Sequence, residues 1–79
     1  MMKYHLYKDE DVTPGNSIAT AALANNHAAV EWARTWVEEH GGHDLYTLER
    51  DDGTFAAILI LTAGGNWYFM TKKGLEFTD

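Results

Sequence analysis

The feature that most constrains the fold is the run TFAAILILT from Thr54 to Thr62, the most continuously apolar part of the chain. It is too short to cross a membrane, which takes about 20 apolar residues, and its length between turn signals is typical of a buried strand. Asp52-Gly53 precedes the run and Ala63-Gly64-Gly65-Asn66 follows it, and both favour tight hairpin loops. The sequence therefore predicts a central strand here, within a three-stranded antiparallel meander.

Hydrophobic periodicity and capping residues predict the remaining elements. Residues alternate with period two in the first segment, whereas the segment after Asn25 has helical spacing and ends before Gly41-Gly42, where we expect a left-handed glycine cap. The predicted strands are Met2–Lys8, Ser17–Ala24, Asp44–Arg50, Thr54–Thr62 and Asn66–Lys72, and the predicted helix is Asn26–His40.

Ser17–Ala24 is the ambiguous segment. Ile18, Thr20 and Ala22 would line one face of a strand, while the alanine content favours a helix. The alternative to a strand is therefore a single long helix from Ser17 to His40.

These elements predict one α+β domain over residues 1–79, an antiparallel sheet of four to five strands with one helix packed on one face, in the order ββαβββ or βαβββ. The apolar stripe of the helix consists of Ala29, Val30, Ala33 and Val37. A chain of this size buries only about 60% of its unfolded surface, so we expect modest stability.

The predicted register leaves a second apolar surface. If Asp52-Gly53 and Gly64-Gly65 are two-residue loops, the facing pairs on one side are Arg50–Phe55, Leu48–Ala57, Tyr46–Leu59 and Leu61–Tyr68. The other side then carries Leu45, Thr47, Glu49, Ala56, Ile58, Ile60, Trp67, Phe69 and Thr71. One helix covers only one side, so an open apolar surface centred on Ile58, Ile60, Trp67 and Phe69 predicts an interface with a partner or with a second copy. The alternative is that the tail Gly74–Asp79 covers this side.

Composition narrows the class of partner and the compartment. Twelve acidic and six basic residues give a net charge of −6, which disfavours nucleic acid and anionic membranes and favours a basic protein surface. The chain has no cysteine and its N-terminal segment has no apolar signal-peptide core, so we expect a cytoplasmic protein.

No residue pattern has the spacing of known chemistry. His40 and His43-Asp44 are separated by two glycines and lack the four ligands of a structural zinc site, His5 and His27 are isolated, and Ser17 and the threonines have no base nearby in the sequence. The carboxylate pairs Glu38-Glu39 and Asp51-Asp52 lie where the chain should be exposed. We therefore expect no enzyme active site, no metal and no cofactor.

The opening strand MKYHLYK, the I-x-x-A-x-L segment from Ile18 to Leu23 before an alanine-rich helix, and the hairpin LYTLERDDGTF resemble two groups of proteins. One group is the small phage-encoded anti-CRISPR inhibitors, and the other is small bacterial proteins of similar layout. The first resemblance implies a stoichiometric inhibitor that occupies a nucleic-acid-binding surface of a CRISPR effector, with carboxylates in place of phosphates. It rests on overall pattern, so it assigns no functional residue.

The leading hypothesis is a non-enzymatic acidic binding protein that inhibits a nucleic-acid-binding protein by docking on its basic surface. A small dimerising bacterial protein with a structural or regulatory role is the alternative, and a minor hydrolytic enzyme is the third hypothesis. Acidic loops steer association and exposed aromatic residues anchor interfaces. The predicted partner-binding residues are Asp9, Glu10, Asp11, Asp51, Asp52, Trp67 and Phe69.

Overall fold

Five strands and one helix occur in the residues that the computed structural model describes, which are 1–9, 12–13 and 15–71. The elements in chain order are β1 (Met2–Lys8), β2 (Ala19–Leu23), α1 (Asn26–His40), β3 (Leu45–Arg50), β4 (Ala56–Leu61) and β5 (Trp67–Thr71). The predicted α+β fold is confirmed in its ββαβββ form.

The strands form one antiparallel sheet in the order β2-β1-β3-β4-β5. The predicted meander of β3, β4 and β5 is confirmed with the apolar run as its middle strand, but the middle strand of the whole sheet is β3. The hairpin of β1 and β2 joins the sheet through β1, where Leu6 lies opposite Leu48, and this places β3 in the middle. The apolar run is β4, which is flanked by β3 and β5.

Helix α1 begins where the sequence predicts. Asn25 is extended, with φ −160° and ψ 177°, and its side-chain oxygen accepts a hydrogen bond from the Ala28 N–H at 2.8 Å. The residues before it pair with β1, since Leu23 lies opposite Met2, so the alternative of one long helix is excluded.

The end of α1 is fixed differently from the prediction. Gly41 has φ −96°, so it is not the left-handed cap that two consecutive glycines indicate. A Cβ atom at Gly41 would lie 2.6 Å from the Tyr46 hydroxyl, which accepts a hydrogen bond from the Gly42 N–H at 2.9 Å. Glycine is needed at position 41 because β3 approaches the helix end closely.

The core lies between α1 and one side of the sheet, which we call the helix face. The helix contributes Ala29, Ala33 and Val37, as its apolar stripe predicts, and Val30 is half-buried. The sheet contributes Tyr4, Leu6, Tyr46, Leu48, Ala57, Leu59 and Leu61, and Phe55 joins them from the segment before β4.

The β3–β4 hairpin has the predicted pairing but a longer loop. Leu48 lies opposite Ala57, and the Arg50 N–H donates to the Phe55 carbonyl at 2.9 Å, so residues 51–54 form the loop. A four-residue loop with the same centre gives the same register as the predicted two-residue loop.

The β4–β5 hairpin has a different register, because its loop has three residues, 63–65. The Thr62 N–H donates to the Asn66 carbonyl and the Gly65 N–H to the Thr62 carbonyl, both at 2.9 Å, while Gly65 has φ +87°. A turn followed by a left-handed glycine is a common three-residue hairpin loop. Leu61 therefore lies opposite Trp67 rather than the predicted Tyr68.

This one-residue difference reverses the two sides of β5, because successive strand residues point to opposite faces. Trp67 and Phe69 share the helix face with Leu61 and Leu59, so their predicted position on the open side is wrong.

Candidate functional site

The side of the sheet opposite α1, which we call the outer face, carries an apolar surface at β3, β4 and β5. Leu45, Ile60 and Tyr68 form one cross-strand row, and Ile58 and Met70 pair in the next row. Tyr68 is 58% exposed and Met70 is 54% exposed, while the other three side chains are half-buried. We call these five residues the outer patch.

The outer patch replaces the surface that the sequence predicts. Ile58 and Ile60 belong to both, whereas Tyr68 and Met70 take the places of Trp67 and Phe69. The sequence signal for this change is Gly65, which allows a three-residue loop as readily as a two-residue one.

The part of the outer face next to the patch is closed. Tyr7 is 6% exposed and Thr47 is fully buried, and the Thr47 hydroxyl donates to the Asp9 carbonyl at 2.7 Å. The contact with Asp9 marks the limit of the outer patch on that side.

Carboxylates lie beside the outer patch at the Leu45 end. Asp9 is exposed, has φ 58° and donates its N–H to the Leu45 carbonyl at 2.8 Å. Asp44 accepts the Leu45 N–H at 2.8 Å and pairs with Lys8 at 3.4 Å, and these interactions lower the pKa of the Asp44 carboxyl, with the hydrogen bond from Leu45 as the largest cause. This end of the patch is anionic at neutral pH.

The other predicted acidic residues lie at the opposite end of the sheet. The Asp51 N–H donates to the Lys3 carbonyl at 2.8 Å. Lys3 and Asp9 are roughly 20 Å apart along β1 at about 3.3 Å per residue. The predicted charges therefore form two separate groups, while Glu10, Asp11 and the tail Gly74–Asp79 lie outside the described residues.

Asp52 has a structural role in the β3–β4 loop. Its carboxylate accepts from the Thr54 hydroxyl at 2.6 Å and the Thr54 N–H at 3.0 Å, and it pairs with Arg50 at 3.2 Å. The Thr54 hydroxyl, followed by the Thr54 N–H and the Arg50 charge, lowers the pKa of Asp52. Asp52 is exposed, as the sequence predicts, but it also holds the loop together.

The two predicted aromatic anchors are on the side of the helix. The Trp67 indole N–H donates to Glu38 at 3.1 Å, and the Arg34 guanidinium lies 5.7 Å from the centre of the Trp67 ring. Trp67 joins α1 to β5, and Phe69, which is 49% exposed, follows it on the same face.

The ion pairs do not remove the acidic excess of the chain, which carries a net charge of −6. Three of the four lysine and arginine residues that the structure describes are in ion pairs, Lys8 with Asp44, Arg34 with Glu31 and Arg50 with Asp52. The outer face is thus an apolar patch in an anionic surrounding.

A polar groove of about 520 Å³ lies on the outer face along β1, and its lining includes residues of β2, of β3 and of the segment between β1 and β2. His5 Nε2 lies 2.8 Å from Asp51 Oδ1, and His5 Nδ1 lies 3.5 Å from the Thr20 hydroxyl. Burial, followed by the charges of Glu49 and Asp51, raises the pKa of Tyr7. The groove lining includes Lys3, His5, Tyr7, Thr20, Glu49 and Asp51.

These contacts correct two sequence predictions, that His5 is isolated and that no threonine has a base nearby. His5 and Asp51 are 46 residues apart, and Thr20 and His5 are 15 residues apart, so only the strand pairing brings them together. A prediction of the register between β1 and β2 would have placed His5 opposite Thr20.

Within residues 1–9, 12–13 and 15–71, no group of three or more His, Cys, Asp or Glu side chains is arranged to hold a metal ion. His40 stacks on Trp36 at 5.0 Å between ring centres, as part of the last helical turn.

In the same described ranges, no helix has the length and apolar character to span a membrane.

No family model matches the chain, and comparisons with curated proteins and with solved structures gave no match.

Proposed function

We propose that this protein binds the basic surface of a nucleic-acid-binding protein through its outer patch and the carboxylates at the two ends of the sheet, and so competes with nucleic acid. The observation that carries the proposal is the arrangement of the outer face, where an apolar patch is bounded by Asp9 and Asp44 at one end and the loop with Asp51 lies at the other. Such inhibition is stoichiometric and requires no catalysis.

Charge supports a basic partner. The chain carries −6, and most of the described cations are paired with carboxylates, so the remaining field attracts positive surfaces. A surface that binds phosphates offers lysine and arginine side chains, which carboxylates also bind.

The apolar patch supports a protein partner rather than a small cation. Tyr68 and Met70 are more than half exposed on the edge strand β5, and aromatic and methionine side chains are enriched in protein interfaces. Burial of such residues in the centre of an interface supplies most of the binding energy, while the surrounding charges increase the association rate.

The resemblance to anti-CRISPR inhibitors makes a CRISPR effector complex the first partner to test, and on that basis we place the action of the protein in the bacterial cytoplasm. Any other basic nucleic-acid-binding protein would fit the same surface.

Capture from nuclease-treated bacterial lysate and binding to purified CRISPR effector complexes test the proposal together. We expect the parent protein to bind a nucleic-acid-binding protein, and added nucleic acid to displace it. The variant Tyr68→Ser/Met70→Ser should lose this binding, because it removes the exposed apolar anchors.

Phe69→Ser is the matched control, since Phe69 lies between the two anchors, is similarly exposed and faces the other side. Equal loss of binding in Phe69→Ser and Tyr68→Ser/Met70→Ser, or binding that nucleic acid does not compete with, would contradict the proposal.

The second candidate is self-association through the outer patch, which its apolar residues also favour. Sedimentation at several protein concentrations distinguishes self-association from binding to a nucleic-acid-binding protein. A stable dimer that Tyr68→Ser/Met70→Ser converts to a monomer, with no nucleic-acid-binding protein captured, would favour the dimer.

A further inference from the structure

Thr20, His5 and Asp51 form a chain of polar contacts in the groove. The Thr20 hydroxyl lies 3.5 Å from His5 Nδ1, and His5 Nε2 lies 2.8 Å from Asp51 Oδ1. The His5 side chain is 20% exposed, whereas that of Asp51 is 62% exposed. The imidazole, which lines the groove, is therefore held between β2 and the loop after β3.

The chemistry of the three groups sets the direction of the hydrogen bonds. An ionised carboxylate only accepts, so Nε2 of His5 carries the hydrogen that is donated to Asp51. In the neutral ring Nδ1 then accepts, and the Thr20 hydroxyl is the donor. This is the polarity of a hydroxyl, imidazole and carboxylate triad, with the two ring nitrogens exchanged relative to serine hydrolases.

The groove provides room for a reactant. Its volume of about 520 Å³ is within the range of small-molecule sites, roughly 300–1,000 Å³. Lys3 is two residues from His5 on the same face of β1 and also lines the groove, and an ammonium group is a type of group that stabilises a developing oxyanion.

We propose that Thr20 is a nucleophile toward small acyl esters that enter this groove, with His5 as its general base and Asp51 as the residue that positions His5. The 3.5 Å contact is long for a hydrogen bond, but such contacts are often loose before substrate binds. The inference does not rest on the proposed docking. Asp51 belongs to both proposals, but the apolar anchors Tyr68 and Met70 do not line the groove.

The reaction has two steps. The Thr20 oxygen attacks the ester carbonyl as its proton moves to His5 Nδ1, and collapse of the tetrahedral intermediate breaks the bond to the leaving alcohol, which takes that proton. Water then attacks the acyl-Thr20 ester, gives its proton to His5 Nδ1, and releases a carboxylic acid as the proton returns to the Thr20 oxygen.

Incubation with p-nitrophenyl acetate tests the proposal, with release of p-nitrophenol and peptide mass spectrometry as readouts. We expect acetylation at Thr20 in the parent and in Thr20→Ser, which keeps the hydroxyl. Thr20→Val keeps the shape but removes the nucleophile, so it should not be acetylated at this position. His5→Gln should lower the rate by on the order of 100-fold.

Asp51→Asn should lower the rate at least about tenfold. An amide can donate as well as accept, so it no longer fixes the hydrogen of His5 on Nε2. Asp51→Glu restores a carboxylate and should recover part of the rate. Thr35→Val on the exposed side of α1 is the matched control and should react like the parent. Circular dichroism and urea unfolding establish that each variant is folded.

Acetylation confined to lysines or the N-terminus, or equal p-nitrophenol release by the parent and folded Thr20→Val, would overturn the proposal. Acetylation of Thr20 that His5→Gln leaves unchanged would overturn the role of His5.

Discussion

The helix face and the outer face belong to the same sheet but differ in what covers them. On β4, Leu59 is 1% exposed and Leu61 is 8% exposed beneath α1, whereas Ile58 and Ile60 on the outer face are half-buried. On β5, Tyr68 and Met70 are more than half exposed. Apolar side chains on one face are thus buried in the core, while similar side chains on the other face remain partly or largely exposed.

The largest expected effect compares neighbours on β4. Leu59→Ala should lower the free energy of unfolding by about 2–5 kcal/mol, because it leaves a cavity in the core. Ile58→Ala should lower it by only about 1–2 kcal/mol, since less apolar surface is buried. Urea unfolding measures both, and equal losses would show that the outer face is also core.

A smaller effect is expected where α1 meets β3. Gly41→Ala should cost about 1–3 kcal/mol, because the new methyl group would lie 2.6 Å from the Tyr46 hydroxyl. Gly42→Ala is the matched control, with nothing within 4 Å of its added Cβ, and should change stability by less than about 0.5 kcal/mol. Similar stabilities of the two variants in urea would mean that Tyr46 moves aside easily.

Acid titration should test the structural role of Asp52 in the β3–β4 loop. The pKa of Asp52 is lowered from its ordinary 3.8, so its stabilising effect is complete above 3.8 and is lost as the pH falls through the lower folded value. Asp52→Asn should therefore flatten the dependence of unfolding free energy on pH below about 4. An unchanged pH dependence in urea unfolding at several pH values would contradict the role of Asp52.

The smallest effect on the fold is expected at Asp9. Asparagine tolerates the left-handed backbone found there, so Asp9→Asn should change stability by less than about 0.5 kcal/mol. If the protein meets a basic surface, the association rate should fall, and the difference from the parent should shrink at high salt, where the Debye length drops below roughly 8 Å. If Asp9→Asn and the parent associate at identical rates, both at low and at high salt, Asp9 is not part of the binding surface.

The parts of the fold that local chemistry determines could be predicted from the sequence. Asn25 as an N-terminal cap and the alternation in β1 gave the bounds of α1 and β1 as observed. The orientation of the β5 side chains was not predictable by the same means. Gly64 and Gly65 permit a loop of two or of three residues, and a change of one residue moves each β5 side chain to the other face of the sheet.

The candidate site was less predictable than the fold for the same physical reason. The outer patch depends on the β5 register, and the groove depends on contacts between residues as far apart as His5 and Asp51. Net charge, in contrast, follows from composition alone, and the basic partner that it favours stays a prediction.

The central claim is that the outer patch serves binding rather than folding, and the affinity of Ile58→Asp for the captured nucleic-acid-binding protein tests it most directly. Ile58 lies within the outer patch, between Thr47 and Met70. We predict a folded variant that binds at least about tenfold more weakly, a loss of about 1.4 kcal/mol or more. A variant that is unfolded, or one that is folded and binds as tightly as the parent, would contradict the claim.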